Sequence, residues 1–441
     1  MKKVLIIGYF WPYVFYGGRR IIALANYLHE FGWYPIILTV PLSEKIHNDR
    51  FKVIEVPFKG DIFQFWRRIF IKIFKADSKR SLLRQAKEKL GGSHKKSYID
   101  FLFNIYQEVF GYPDTEKGWK IPVLQNAKKI IEKEKIDAVI SEWPIISHIV
   151  ARELKKLYKI PWVADFVDLW SQNHDYPFSR IRKHFDKKLE IKTLKSADVL
   201  ITVSQYDAEK MKRLHRGKLI NVITNGFDPE EVNIPPANLI PKFTITYTGK
   251  IYPGKQDPSK ILVALKDLIS NKLLDPNEIE VRFYGHKEYW LEKEIEKYGL
   301  SNIIKQYGML PREAAIEKQR ESQILLLLNW EDPREKGCYT GKIFEYLAAQ
   351  RPILATGGFG SDVVEELLEE TKAGVYCQKV EDIKNALEEF CLEYKQRSKV
   401  TYNGDRVEIN KYSYREMAKK FVDLLNKLHV TSNLSNYSLS K

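Results

Sequence analysis

The feature that most constrains this chain is an alternation, met twice, of short unbroken apolar runs with stretches of helical periodicity. Val4-Leu5-Ile6-Ile7 is apolar at every position. A half-exposed strand would alternate, so this run predicts a parallel strand covered on both faces. Ile21, Ile22, Leu24, Ala25 and Leu28 then recur at helical spacing and stop near Gly32. Runs at 35–40, 138–141, 162–165, 199–203 and 222–224 continue the pattern. Pro229, Pro235, Pro236 and Pro241 break it over 228–241, as a linker would. It restarts with strands expected at 243–247, 280–284, 303–306, 324–328 and 352–356, and helices at 258–270, 311–322 and 340–350. Strands alternating with helices imply an α/β fold, here two Rossmann-like doubly wound domains facing a central cleft. The 441 residues suit two domains. We place the first at 1–235 and the second at 236–410. A C-terminal helix at 411–430 is expected to return towards the first domain, ahead of a loose tail at 431–441.

One insertion, 62–110, does not follow the alternation. Its stretch 62–96 holds eleven Lys or Arg against two acids, most of the excess of a chain with 72 basic and 57 acidic residues. Ile62, Phe65, Trp66, Ile69 and Ile73 fall at helical spacing, with Arg67, Arg68 and Lys72 beside them. That pattern suits an amphipathic helix lying in a membrane interface, aromatics at the acyl boundary and cations on anionic headgroups. We therefore expect membrane contact through Phe65, Trp66, Arg67, Arg68, Ile69 and Lys72. Charge gathered beside an apolar stripe, rather than spread along a groove, argues against a nucleic-acid partner.

Cys338, Cys377 and Cys391 form no C-x-x-C pair, so no structural zinc site or disulfide framework is expected, and a reducing compartment fits. The first apolar run ends too soon for a secretory leader, and charge returns at Arg19 and Arg20. No stretch of about 18 uncharged apolar residues predicts a membrane span. A cytoplasmic protein, peripheral on the inner face of the plasma membrane, is the expectation.

Three stretches carry chemistry. Gly17-Gly18 follows the first strand and lets backbone approach a ligand closely. Thr248-Gly249-Lys250-Ile251-Tyr252-Pro253-Gly254-Lys255-Gln256 nearly spells a triphosphate-binding loop, but Gln256 lacks the hydroxyl that would bind magnesium. What remains is a glycine loop with two cations, Lys250 and Lys255. Gly337-Cys338-Tyr339-Thr340-Gly341-Lys342 opens a helix whose unpaired N–H groups attract a diphosphate, and Glu345 lies a turn further in, placed to accept from a ribose diol.

These segments, with Trp162 to Trp170, Ile201-Thr202-Val203-Ser204 and Thr224-Asn225-Gly226-Phe227-Asp228, resemble a GT-B glycosyltransferase of the nucleotide-sugar-dependent family 4 type over nearly the whole chain. The resemblance implies a hexosyltransferase, metal-independent and retaining. It would move a sugar from a nucleoside-diphosphate-sugar to an acceptor hydroxyl, of a lipid-linked glycan or polysaccharide precursor. No cofactor is implied beyond the donor substrate. Lys250 and Lys255 would neutralise the leaving diphosphate. Gly17, Gly18, Met309, Thr340, Gly341, Lys342 and Glu345 would bind the donor. Asp168 would orient or deprotonate the acceptor, with Glu142, His148 and Asp165 near it. The family's first motif glutamate falls on Gly337, which leaves the donor sugar and the stereochemistry open. A sugar-nucleotide 2-epimerase of the same fold, or a non-catalytic nucleotide-sugar-binding protein, are the alternatives.

Overall fold

The structure is a computed structural model that describes residues 1–12, 18–58, 107–232 and 237–439, with side chains as far as 430. Gly17 and most of the insertion, including Phe65, Trp66, Arg67, Arg68, Ile69 and Lys72, lie outside the described residues. The chain divides into two units: 1–203 with 207–223 and 418–441, and 204–206 with 224–417. The second unit thus starts at Thr224, ahead of the expected boundary at 235/236, because Phe227 packs in the second core and bridges to Ser413.

In the first unit the strands are β1 (Lys2–Ile7), β2 (Trp33–Thr39), β3 (Lys52–Glu55), β4 (Ala138–Ser141), β5 (Trp162–Phe166), β6 (Val199–Thr202) and β7 (Leu219–Val222). They form one parallel sheet of order β3-β2-β1-β4-β5-β6-β7. Leu5 pairs with Ile36 on one side and Val139 on the other, so β1 is central, and its residues from Val4 to Ile7 are buried. Helices α1 (Arg19–Tyr27), α2 (Lys120–Lys133), α3 (Ile145–Tyr158), α4 (Arg180–Leu194) and α5 (Gln205–Leu214) alternate with the strands.

The second unit repeats the plan: β8 (Phe243–Thr248), β9 (Ile279–Tyr284), β10 (Ile304–Gly308), β11 (Ile324–Leu328), β12 (Ile353–Thr356) and β13 (Gly374–Cys377), in the order β10-β9-β8-β11-β12-β13. Besides a single turn at Pro229–Val232, its helices are α6 (Ser259–Ser270), α7 (Tyr289–Lys297), α8 (Arg312–Arg320), α9 (Gly341–Ala349), α10 (Val363–Thr371), α11 (Val380–Arg397) and α12 (Arg406–Asn410). A last helix, α13 (Tyr414–Leu439), begins in the second unit. From Ala418 onward it clusters with the first, where Asn426 accepts from Lys2 (2.8 Å) and Trp33 (3.1 Å).

Three strands depart from the sequence reading, and all are edges. β3 and β13 fall outside the expected strands, and β7 ends where the expected strand at 222–224 begins. An edge strand has one neighbour and keeps polar positions, so the continuous apolar signal fades. The tail is also corrected: α13 runs on through Leu439, since 431–441 contains neither Pro nor Gly to stop it. Among the described residues, no helix is long and apolar enough to cross a membrane.

Candidate active site

In each sheet the strand order reverses beside the first strand, between β1 and β4 and between β8 and β11. Doubly wound sheets bind ligands outside the strand ends at such a point. In the second unit, β8 ends at Thr248, whose N–H donates to the Tyr346 hydroxyl (3.0 Å) and whose Oγ1 accepts from Gln319 (2.8 Å). Gly249 then turns the chain at φ +113°, a conformation open to glycine. The loop that follows is braced. Gln256 is buried, donates to the Leu328 carbonyl at the end of β11 (2.8 Å) and accepts from the Tyr252 N–H (3.2 Å). The residue that spoils the triphosphate motif is therefore a strut. Lys250 Nζ lies 4.7 Å from the Tyr252 ring centre and Lys255 Nζ 5.8 Å from that of Trp330; the two rings stand 5.3 Å apart. An aromatic pair thus carries both cations.

Helix α9 points its start at this loop. Thr340 occupies the N-cap with extended dihedrals but makes no side-chain cap, and its buried Oγ1 has no partner. The positive end of the helix is left to an outside acceptor. Lys342 reaches back to donate to the Lys250 carbonyl (3.4 Å) and sits 5.3 Å over the Tyr247 ring. A Cβ built on Gly249 would fall 2.4 Å from Lys342 Cε. The glycine loop and the helix start therefore meet, as anion binding requires. Glu345, one turn on, bears electrostatically on the Arg312–Glu231 ion pair; burial foremost, and Glu345 among nearby acids, raises the Glu231 pKa. Met309 follows β10 and is exposed, while Tyr307 stacks on Tyr284 at 5.0 Å.

Gly337 has no room for the missing glutamate. A Cβ there would lie 2.7 Å from Tyr206 Cβ and 2.8 Å from Ser204 Oγ, residues that cluster with this unit. Sequence reasoning missed two features. Gly357, Gly358 and Gly360 all have positive φ after β12, beside a bracket in which Asp362 accepts from Asn329 (2.9 Å) and Tyr376 (2.7 Å). Three glycines in four residues after an apolar strand were the available signal. Gly285 had none: its need for glycine arises because an added Cβ would stand 2.1 Å from the Gly249 carbonyl.

In the first unit, Glu142 follows β4 directly, and its N–H donates to the Ile7 carbonyl at the end of β1 (3.4 Å). It is 3% exposed and its Oε1 has no partner. Burial, then the Asp165 charge, raises its pKa well above the ordinary carboxyl range. Asp168, just past β5, keeps an exposed edge, yet the protein around it displaces much of its water; that desolvation, then the Asp207 charge, raises its pKa. The other two acceptor candidates are occupied by the fold. Asp165 holds Arg20 through two bonds of 2.8 and 2.9 Å, both residues 1% exposed. Arg20 also donates to the Ile223 carbonyl (2.9 Å), so its guanidinium is held inside the unit. His148 is fully buried, stacked 4.4 Å from Phe166, with Nδ1 2.8 Å from Ser141 Oγ. Trp162 donates to that same oxygen (2.8 Å), so the serine proton goes to His148. Burial pulls the His148 pKa down to about 3, which keeps the ring neutral. Gly18 stands at the N-cap of α1.

Two α/β units, one with an anion-ready loop and helix start at its switch point, are the frame against which the comparison with known proteins is set. The family model for Glycosyltransferase Family 4 matches residues 92–231 and that for Glycosyl transferase-like matches 263–423. Together they take in most of the chain, which belongs to the GT-B glycosyltransferases. No curated protein matches in sequence. Sucrose-phosphate synthase from Thermosynechococcus elongatus is similar at TM-score 0.59 and 12% identity, over 98% of this chain and 100% of that one. An E. coli trehalose-6-phosphate structure bound with UDP-2-fluoro glucose is similar at TM-score 0.57 and 11% identity, over 96% and 99%. WaaG, a glycosyltransferase involved in lipopolysaccharide biosynthesis, is similar at TM-score 0.51 and 12% identity, over 98% and 99%. At these identities the likeness is one of fold.

Proposed function

We propose that the chain transfers a hexosyl group from a nucleoside-diphosphate-sugar to an acceptor hydroxyl of a lipid-linked glycan or polysaccharide precursor. The observation that carries this reading is the junction of the Lys250–Lys255 loop with the uncapped start of α9, tied by Lys342. As the glycosidic bond breaks, negative charge grows on the leaving diphosphate. Fixed cations and helix N–H groups meet it without reorganising, which is where electrostatic catalysis is strongest. Lys250 and Lys255 take the phosphates, Thr340, Gly341 and Lys342 close round them, and Glu345 accepts from the ribose hydroxyls. Gly18 and Met309 complete the donor contacts. On the acceptor side Asp168 takes the hydroxyl proton; a raised pKa suits a base working near neutrality. Glu142 orients the acceptor through its unpartnered oxygen. The UDP-2-fluoro glucose bound in the E. coli neighbour is consistent with a donor of this class.

The test is a screen of nucleoside diphosphates by thermal shift, then transfer assays with the sugar form of the best binder. Binding at a hundredfold excess over Kd adds about 2.7 kcal/mol of stability. Lys250→Ala with Lys255→Ala should abolish the shift. No shift with any nucleoside diphosphate would overturn the reading. Isomerised donor in the absence of acceptor would replace it with an epimerase. Anomeric coupling in the product, read by NMR, reports whether configuration is retained as expected.

A further inference from the structure

We infer that the outer face of α4, with Val109 and Phe110 fastened at its start, is a docking surface for an anionic lipid bilayer. Ile181, His184, Phe185, Lys188, Ile191 and Lys192 recur every three or four residues, so they share one side of the helix, and all are exposed. Ile181 is 74% exposed, Phe185 54% and Ile191 40%. Arg180 and Lys187 flank this stripe and Lys195 ends it, all exposed. The two acids of the helix, Asp186 and Glu190, are turned inward, at 1% and 2% exposure. Asp186 accepts from the Tyr176 hydroxyl, while Glu190 accepts from the Ser171 N–H (3.0 Å) and bonds His215 Nε2 (3.0 Å). The exposed charge of α4 is therefore of one sign, and among the described residues no acid pairs with Arg180, Lys187, Lys188, Lys192 or Lys195.

Arg182, the buried cation of the helix, extends the apolar part of this surface. It donates to the carbonyls of Glu108 (2.9 Å) and Gly111 (3.0 Å), with its guanidinium 3.6 Å from the Phe178 ring centre. The Ser179 N–H, at the N-cap of α4, donates to the Glu108 carboxylate (3.2 Å). Residues 107–111 are thus tied to the Ile181 end, where Val109 is 60% exposed and Phe110 46%. A helix face that meets only water has no need of large apolar side chains and gains by mixing charge signs. Apolar side chains set among cations suit a bilayer interface: Ile181 and Phe185 enter the acyl boundary, and lysine ammonium groups reach anionic headgroups over their aliphatic stems. Nucleic acid would satisfy the cations and leave Ile181 and Phe185 nothing to bury against. The stretch 62–96 of the insertion, with eleven cations and two acids, does not complement a positive face. The inference stands apart from the donor site and from the contact expected of the insertion.

Cosedimentation of the full chain with phosphatidylcholine vesicles, with and without phosphatidylglycerol, tests this. Binding to the anionic vesicles about tenfold tighter than to the neutral ones is expected. Ile181→Ser with Phe185→Ser, and separately Lys187→Gln with Lys188→Gln and Lys192→Gln, should each weaken it about tenfold, since apolar burial and headgroup attraction both contribute. These side chains are exposed, so the unfolding midpoint should stay that of the parent, and nucleoside-diphosphate affinity with it. Replacing Trp66, Arg67, Arg68 and Lys72 with Ser, in parallel, tells the insertion from α4. Parent-like vesicle binding by both α4 variants would overturn the docking surface, whatever the insertion does. So would a loss confined to the lysine variant and matched on a soluble polyanion such as heparin, which would assign the face to a polyanion without a lipid phase. A concentration-dependent dimer that Ile181→Ser with Phe185→Ser abolishes, with vesicle binding intact, would also overturn it and give the face to a second copy of the chain.

Discussion

Arg20 is a full positive charge where water does not reach, and its place in the core rests on two bonds to Asp165 and one to the Ile223 carbonyl. The guanidinium also lies 5.5 Å from the Phe421 ring. Removing one partner of such a pair leaves the other charge buried and unpaired, at a cost of about 3–5 kcal/mol. Arg20→Met should cost that much in denaturant unfolding, and adding Asp165→Asn should recover part of it. His148 gives a pH dependence with a definite sign. Its folded pKa, about 3, lies below the ordinary 6.5, so the unfolded chain binds the extra proton between those values. Stability is therefore lost as pH falls from 6.5 towards 3, by about 5 kcal/mol over the window. His148→Asn should flatten that slope. Both residues were legible as chemistry-bearing types, but not as core residues. Burial and partner, not identity, decide whether a histidine or aspartate meets substrate.

At the scale of elements, the second unit's switch point depends on backbones that touch. Gly285 and Gly249 sit at the ends of neighbouring strands, and the first accepts no side chain because the carbonyl of the second fills the space. Gly285→Ala should cost about 1–3 kcal/mol by overpacking. It should also displace the Lys250 loop and weaken nucleoside-diphosphate affinity, which calorimetry measures. An unchanged affinity would separate the loop from donor binding. The Gly249-Lys250 loop could be read from its glycines and cations. The bracing by Gln256 could not, because its partner, Leu328, is 72 residues away.

For the whole molecule, the largest charge surplus falls in the insertion, outside the described residues. If Phe65, Trp66, Arg67, Arg68, Ile69 and Lys72 meet an anionic bilayer, the chain should float with phosphatidylglycerol vesicles and less so with neutral ones. Each cation near such a surface contributes about 1 kcal/mol. Replacing Trp66, Arg67, Arg68 and Lys72 with Ser should therefore lower the bound fraction severalfold at constant donor affinity. An undiminished bound fraction would put the membrane contact elsewhere.

The sequence by itself determined the class of fold, because a strand buried on both faces must be apolar throughout and a helix must repeat near every third or fourth residue. It also located the glycine loop after β8 and the start of α9, where the signal is carried by neighbouring residues in the chain. Only the tertiary structure decided which charged groups were spent on the interior and why position 337 excludes a side chain. Those outcomes depend on residues far apart in the chain, and no local pattern encodes such distances.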